Sequence, residues 1–135
     1  MDTAIIEVRN LTLDDYNALK ESMQKAYASL GGQYWKEETL KRLIQKFPDG
    51  QIVITHNGDV VGCALSIIVD YDKFGDKHTY LDITGNFSFD THDPDGDTLY
   101  GIEVFVHPDY RGLRLARRLY DSRKLLCERM NLRMI

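Results

Sequence analysis

Apolar residues recur along this chain with two different periods, and the switches between them outline a fold. Ile5-Ile6-Glu7-Val8 predicts a first strand. Tyr16, Leu19, Met23, Ala26, Tyr27 and Leu30 then fall three and four apart, which predicts a helix over residues 13–30 with one apolar face. Thr12 stands at its N-cap with Asp15 three residues on, a capping-box variant, and Gly31-Gly32 ends it. Leu40, Leu43, Ile44 and Phe47 mark a second helix from about Lys36 to Phe47, stopped by Pro48-Asp49-Gly50. Gln51–Thr55 and Val60–Asp70 are rich in β-formers. Asn57-Gly58 between them predicts an antiparallel hairpin, because that turn needs positive φ at both residues. Ile102–Val106 is a fourth strand interrupted by one carboxylate, Glu103, and His107-Pro108-Asp109 stops it. Helical spacing follows, with Leu115, Leu119, Leu126 and Met130 on one face and Ala116, Tyr120 and Cys127 beside them. Leu132–Ile135 opens a fifth strand. The order β-α-α-β-β-β-α-β predicts an α/β domain with a mixed sheet.

Residues 71–98 follow neither period. Leu81/Ile83 and Phe87/Phe89 alternate with polar residues, so a short strand pair is expected there. Asp93-Pro94-Asp95-Gly96-Asp97 invites a calcium loop. Its glycine is fourth rather than sixth, however, and the twelfth position is Val104 instead of a bidentate glutamate. A Pro-Asp-Gly turn is the better expectation. His56, His78, His92 and His107 show no ligand spacing, so no metal is expected.

Composition narrows the class. At 135 residues, 43% apolar and 28% charged, the chain is expected to form a single domain over 1–135. No run approaches the ~20 apolar residues of a membrane span, and Met1-Asp2-Thr3-Ala4 lacks the layout of a secretory signal. Cys63 and Cys127 lie inside apolar segments and are expected to be reduced, buried hydrophobes in a cytoplasmic protein. Charge is unevenly spread. Residues 100–135 carry eight Arg/Lys against four acids, net +4, which leaves −8 for residues 1–99 out of the total of −4. A basic end suits an anionic ligand and an acidic body suits a cationic amine, while the acidic total argues against nucleic acid.

The candidate chemistry gathers between Gly101 and Arg117. A strand that runs through a Gly112-containing turn into a helix start leaves first-turn N–H groups without intrahelical partners, and the macrodipole adds positive character there. Arg111, Arg114 and Arg117 bring guanidinium groups to the same place. An ordinary strand–turn–helix connection is the competing explanation. Glu103 is the candidate base, since a lone carboxylate in an apolar strand is costly without a task or partner. Its alternative is a strand-end glutamate facing solvent or pairing with an arginine.

Val106-His107-Pro108-Asp109-Tyr110-Arg111-Gly112-Leu113-Arg114-Leu115-Ala116 resembles the acetyl-CoA pyrophosphate loop of the GNAT acyl-CoA N-acyltransferases, Gln/Arg-x-x-Gly-x-Gly/Ala after a strand ending in Val-x-Pro. Arg111 fills the first position and Ala116 the last. Arg114 stands where glycine is usual. With helical φ/ψ it would be unstrained and its amide would still point at phosphate; with positive φ it would be strained. The resemblance implies the acyl-CoA N-acyltransferase fold, with acetyl-CoA as co-substrate and a small-molecule or peptide amine as acceptor. It implies pyrophosphate on the N–H groups of Leu113 to Ala116, flanked by Arg111, Gly112, Arg114 and Arg117. The pantetheine arm would add along Glu103, Val104, Phe105 and Val106, with a backbone N–H near Phe105 or Val106 polarising the thioester. The loop between the first two helices lies near the acceptor in that family, so Tyr34 and Trp35 become substrate contacts; a hydrophobic plug at the start of the second helix is their alternative.

Such domains normally continue with another helix and two strands, often carrying a tyrosine acid, which are lacking here. An apolar Leu132–Ile135 is an unusual terminus. The expectation is therefore a longer protein, or a homodimer, with a C-terminal domain or second subunit completing the sheet. The motif also resembles GNAT domains that precede a nitrilase-like carbon–nitrogen hydrolase domain. Two functions stay open: N-acetyl transfer by direct attack in a ternary complex, and a non-catalytic acyl-CoA-binding module of a larger enzyme.

Overall fold

A computed structural model describes residues 3–134. Five strands form one sheet in the order β1 (Ile6–Asn10), β2 (Ile52–His56), β3 (Asp59–Val69), β4 (Thr98–Val106) and β5 (Arg133–Met134). The first four are antiparallel to their neighbours, and β5 runs parallel to β4 through Thr98↔Arg133 and Leu99↔Met134. The β2–β3 hairpin turns on Asn57 at φ 50° and Gly58 at φ 88°, the conformation that Asn-Gly favours.

One sheet face is covered by α1 (Tyr16–Ala26) and α2 (Glu37–Lys46). Their Leu19, Met23, Leu40 and Leu43 form a core with Cys63, Leu65, Ile67 and Val69 of β3. The other face is covered by the helix after β4, α5 (Leu115–Met130). Its Leu115 and Leu119 pack on Ile52, Ile54 and Val106, and its Leu126 and Cys127 on Ile68 and Leu99. Burying each such leucine contributes about 1.5–3 kcal/mol, so the 3.6-residue stripes that define the helices also fix which way they face.

The structure corrects four expectations. The helix over 13–30 is divided into a 3-10 turn Leu13–Asp15, α1, and a second turn Ala28–Leu30. Asp15 accepts from the Thr12 backbone N–H at 2.9 Å and also holds Arg9 at 2.8 Å, so its carboxylate serves two partners and sits below the usual carboxylate range. Secondly, β4 begins at Thr98, four residues before the apolar run that marks it in sequence. Thirdly, Leu81/Ile83 and Phe87/Phe89 do not form strands. The insertion holds two single-turn helices, α3 (Tyr71–Phe74) and α4 (Tyr80–Ile83). Thr79 and Asp82 make a capping box at the start of α4, and Asn86, Phe87 and Phe89 take positive φ, which no strand ladder accommodates. Fourthly, Tyr120 and Met130 of α5 are exposed rather than core residues, at 53% and 37%.

Candidate functional site

The site is strung along β4. A bulge interrupts its pairing with β3: Leu65 faces Glu103 and Ser66 faces Gly101, so Ile102 has no partner across the ladder. Strict alternation would place Tyr100 and Glu103 on opposite faces. With the extra residue, Tyr100, Glu103 and Phe105 stand opposite Ile67, Leu65 and Cys63, all on the α1/α2 face. Glu103 shares its face with Phe105 by regular alternation, and the bulge brings Tyr100 to that same face.

Glu103 is half-buried and accepts two hydrogen bonds. The Tyr27 hydroxyl donates to Oε2 at 2.6 Å and the Trp35 indole Nε1 to Oε1 at 3.1 Å. Burial and then the Glu103 carboxylate raise the Tyr27 phenol well above its ordinary range, so it stays a neutral donor. Tyr80 is likewise raised by burial and by Glu103, and its hydroxyl donates to the Ile102 carbonyl at 2.9 Å, at the bulge itself.

A cavity of about 480 Å³ opens over this carboxylate, walled by Tyr34, Trp35, Tyr80, Phe87 and Met23 and rimmed by Gln33, Lys36 and Thr39. Tyr34 and Trp35 thus share one cavity with Glu103. Trp35 also packs against Phe87 and Phe89, with ring centroids at 5.6 and 6.2 Å, so it serves the core as well as the wall. Lys20 Nζ lies 4.4 Å from the centre of the Tyr34 ring. Sequence alone missed Tyr27, Tyr80 and Phe87. Tyr27 reads in sequence as one more apolar position of the first helix, and the other two lie in the insertion of residues 71–98.

At its other end β4 runs through the single 3-10 turn Pro108–Tyr110 into an exposed loop. Gly112 has φ 91°, and Arg114, the N-cap of α5, has φ 59° and ψ 31°. Arg114 thus takes the left-handed of its two expected conformations, at a cost of about 1–2 kcal/mol for a residue with a Cβ. Arg118 donates to the Arg114 carbonyl, but among the described residues the N–H groups of Gly112 to Arg117 have no partner within the chain. Arg111, Gly112, Leu113, Arg114, Ala116 and Arg117 are exposed, whereas Leu115 anchors the helix start in the core. Along β4 itself, Val104 is exposed while the Phe105 and Val106 side chains are buried. Cys63 is fully buried and burial pushes its thiol far up, so it offers no nucleophile.

A mixed sheet with a bulged fourth strand, a glycine turn and a helix with open N–H groups defines an acyltransferase-type architecture. The chain belongs to the acetyltransferase (GNAT) family, whose model matches residues 16–133. It is 36% identical over 128 residues to the "probable hydrolase" YhcX of Bacillus subtilis (strain 168), covering 95% of this chain and 25% of that protein. It is 29% identical over 119 residues to the uncharacterized N-acetyltransferase YkwB of the same organism, covering 87% of this chain and 53% of that one. The chain therefore spans about a quarter to a half of the curated relatives it matches. Among solved structures, the loading GNATL domain of CurA from Lyngbya majuscula superposes with a TM-score of 0.74 at 20% identity, covering 91% of this chain and 58% of that one. The GphF GNAT-like decarboxylase in complex with isobutyryl-CoA gives 0.65 at 18%, covering 85% and 55%. Among the described residues no helix is long and apolar enough to cross a membrane.

Proposed function

We propose that this chain transfers an acetyl group from acetyl-CoA to a primary amine by direct attack in a ternary complex. The observation that carries the proposal is the row of unpartnered N–H groups from Gly112 to Arg117, following the strand that carries Glu103, a carboxylate set in an aromatic cavity. Those N–H groups, with the Arg111, Arg114 and Arg117 guanidiniums, are the residues that would hold a diphosphate. Among the described residues β5 pairs with β4 at Thr98 and Leu99, and an extended arm would add farther along, at Val104–Val106. Acetyl-CoA supplies the activated acyl group.

The cavity supports an amine as acceptor. Aromatic faces attract a cation by about 0.5–2 kcal/mol, and Tyr34, Trp35, Tyr80 and Phe87 surround the entry to Glu103. An amine with an ordinary value near 10.4 arrives protonated and must lose a proton before it can attack. Glu103 is the acceptor of that proton, and its two hydrogen bonds from Tyr27 and Trp35 hold each oxygen in place. Positioning the two reactants beside each other contributes up to roughly 7–11 kcal/mol with no covalent intermediate.

The strained Arg114 favours a second reading, an acyl-CoA-binding module without catalysis, because glycine at that place would leave the loop relaxed. Glu103→Gln separates the two. Acetyl transfer should fall by roughly 10²–10⁴-fold while CoA affinity, measured by calorimetry against ATP and NAD as controls, stays the same. If the parent chain binds CoA but acetylates no amine, and Glu103→Gln changes nothing, the binding module stands.

A further inference from the structure

The apolar stripe of α5 runs Leu115, Leu119, Leu126 and Cys127, and its middle position is an arginine. Arg123 lies four residues after Leu119 and points at the sheet. Its Nη2 donates to the Leu65 carbonyl at 2.6 Å and to the Glu103 carbonyl at 2.9 Å, one on each strand beside the bulge. Among the described residues it makes no ion pair with a carboxylate, and its buried Nε has no partner. Burial draws this guanidinium below its ordinary range, opposed by Cys63, Cys127 and Glu103.

A half-buried charge without a counter-ion is costly, and a methionine or leucine would fill the stripe more cheaply. Gly101 makes room for it: a Cβ there would lie 2.9 Å from Arg123 Nη1 and 3.3 Å from Cζ. The arginine and the glycine are therefore parts of one device. It supplies donors to carbonyls where the bulge disrupts the ladder, from the face opposite the cavity.

We infer that Arg123 is the positioning residue for Glu103, clamping the bulge from behind so that the carboxylate is presented to Tyr27, Trp35 and the acceptor. This rests on Glu103 serving as the base. A base displaced by about 1 Å loses on the order of 10²-fold in rate. The chain's single tryptophan, Trp35, is bonded to that carboxylate and reports its placement independently of activity.

The test compares Arg123→Met, Arg123→Lys and Gly101→Ala with Glu103→Gln in the full chain. Arg123→Met should lower kcat for acetylation by about 10²-fold with KM for acetyl-CoA within about twofold, and shift the Trp35 emission in the direction that Glu103→Gln shifts it. Arg123→Lys, which keeps a donor, should recover part of both. If Arg123→Met does not fold, Gly101→Ala displaces the same guanidinium and should give the same pair of changes. A folded Arg123→Met with parental kcat and parental Trp35 emission overturns the inference. Should Glu103→Gln itself leave acetylation intact, the base assignment fails, and the Trp35 emission alone then decides whether Arg123 positions the carboxylate.

Discussion

Two regions, one within β4 and one just beyond it, are built on different principles. Beyond the C-terminal end of β4, residues 111–117 present open N–H groups on consecutive backbone, exposed apart from the anchor at Leu115. At the bulge within β4, Glu103 meets Tyr27 from 76 residues upstream and Trp35 from 68, and leans on Arg123 from the opposite face. A cradle of N–H groups tolerates most side chains because every residue but proline carries the donor. A pocket of side chains tolerates few, since each wall comes from a different segment. Damage should therefore stay local at the first site and spread at the second.

The strongest test of that contrast is Trp35→Ala. It removes a donor to Glu103 and a ring packed on Phe87 and Phe89, and should lower unfolding stability by about 3 kcal/mol, at the low end for a large aromatic because the residue is only half-buried. Acetyl transfer should be lost and CoA affinity of the folded fraction kept, as read by denaturant melts and calorimetry. Tyr27→Phe is subtler. A hydrogen bond to a charged group contributes about 1.5–3 kcal/mol, so kcat should fall about tenfold or more with unchanged CoA affinity.

At the cradle, Ala116→Glu should have effects of opposite sign. A carboxylate in the first turn of α5 favours the helix by about 0.3–1 kcal/mol yet repels a diphosphate. Thermal stability should then rise slightly while CoA binding weakens about tenfold or more. A parallel loss of both would show that the loop is not separable from the fold. Smaller still, Arg114→Gly should relieve the left-handed strain and raise stability by up to about 1 kcal/mol, with weaker CoA binding from the lost guanidinium.

His92, in the insertion and away from both sites, gives a control with a pH signature. Its Nδ1 accepts from the Ile68 N–H at 3.0 Å, the ring stacks on Phe47, and burial lowers its basicity. With a folded value below the unfolded one near 6.5, its contribution is complete above about pH 6.5 and fades as pH falls toward the folded value. His92→Gln should flatten that part of the stability–pH curve without altering CoA binding.

Helices α1 and α2, the β2–β3 hairpin and the turn into α5 were legible because each depends on spacing within a dozen residues: Leu40 to Leu43, Asn57-Gly58, Arg111 to Ala116. Glu103 was legible as an anomaly in an apolar strand. Arg123 left a comparable mark, a charge at the core-facing position between Leu119 and Leu126, yet it passed for one of many helix arginines. The residues 71–98 were illegible for a different reason. Their short helices depend on the Thr79–Asp82 cap and on positive φ at Phe87 and Phe89, which β-like alternation conceals.

By itself the sequence determined the order of the elements outside residues 71–98, most of their inward faces and the loop whose amides stay open, because periodicity, turn chemistry and helix ends are properties of neighbouring residues. Only the tertiary structure decided where Glu103 points, what holds it and which aromatic rings enclose it. One unpaired residue at Ile102 brings Tyr100 to the side of the sheet on which Glu103 emerges, and a bulge of that kind is set by packing across strands rather than by the strand's own residues.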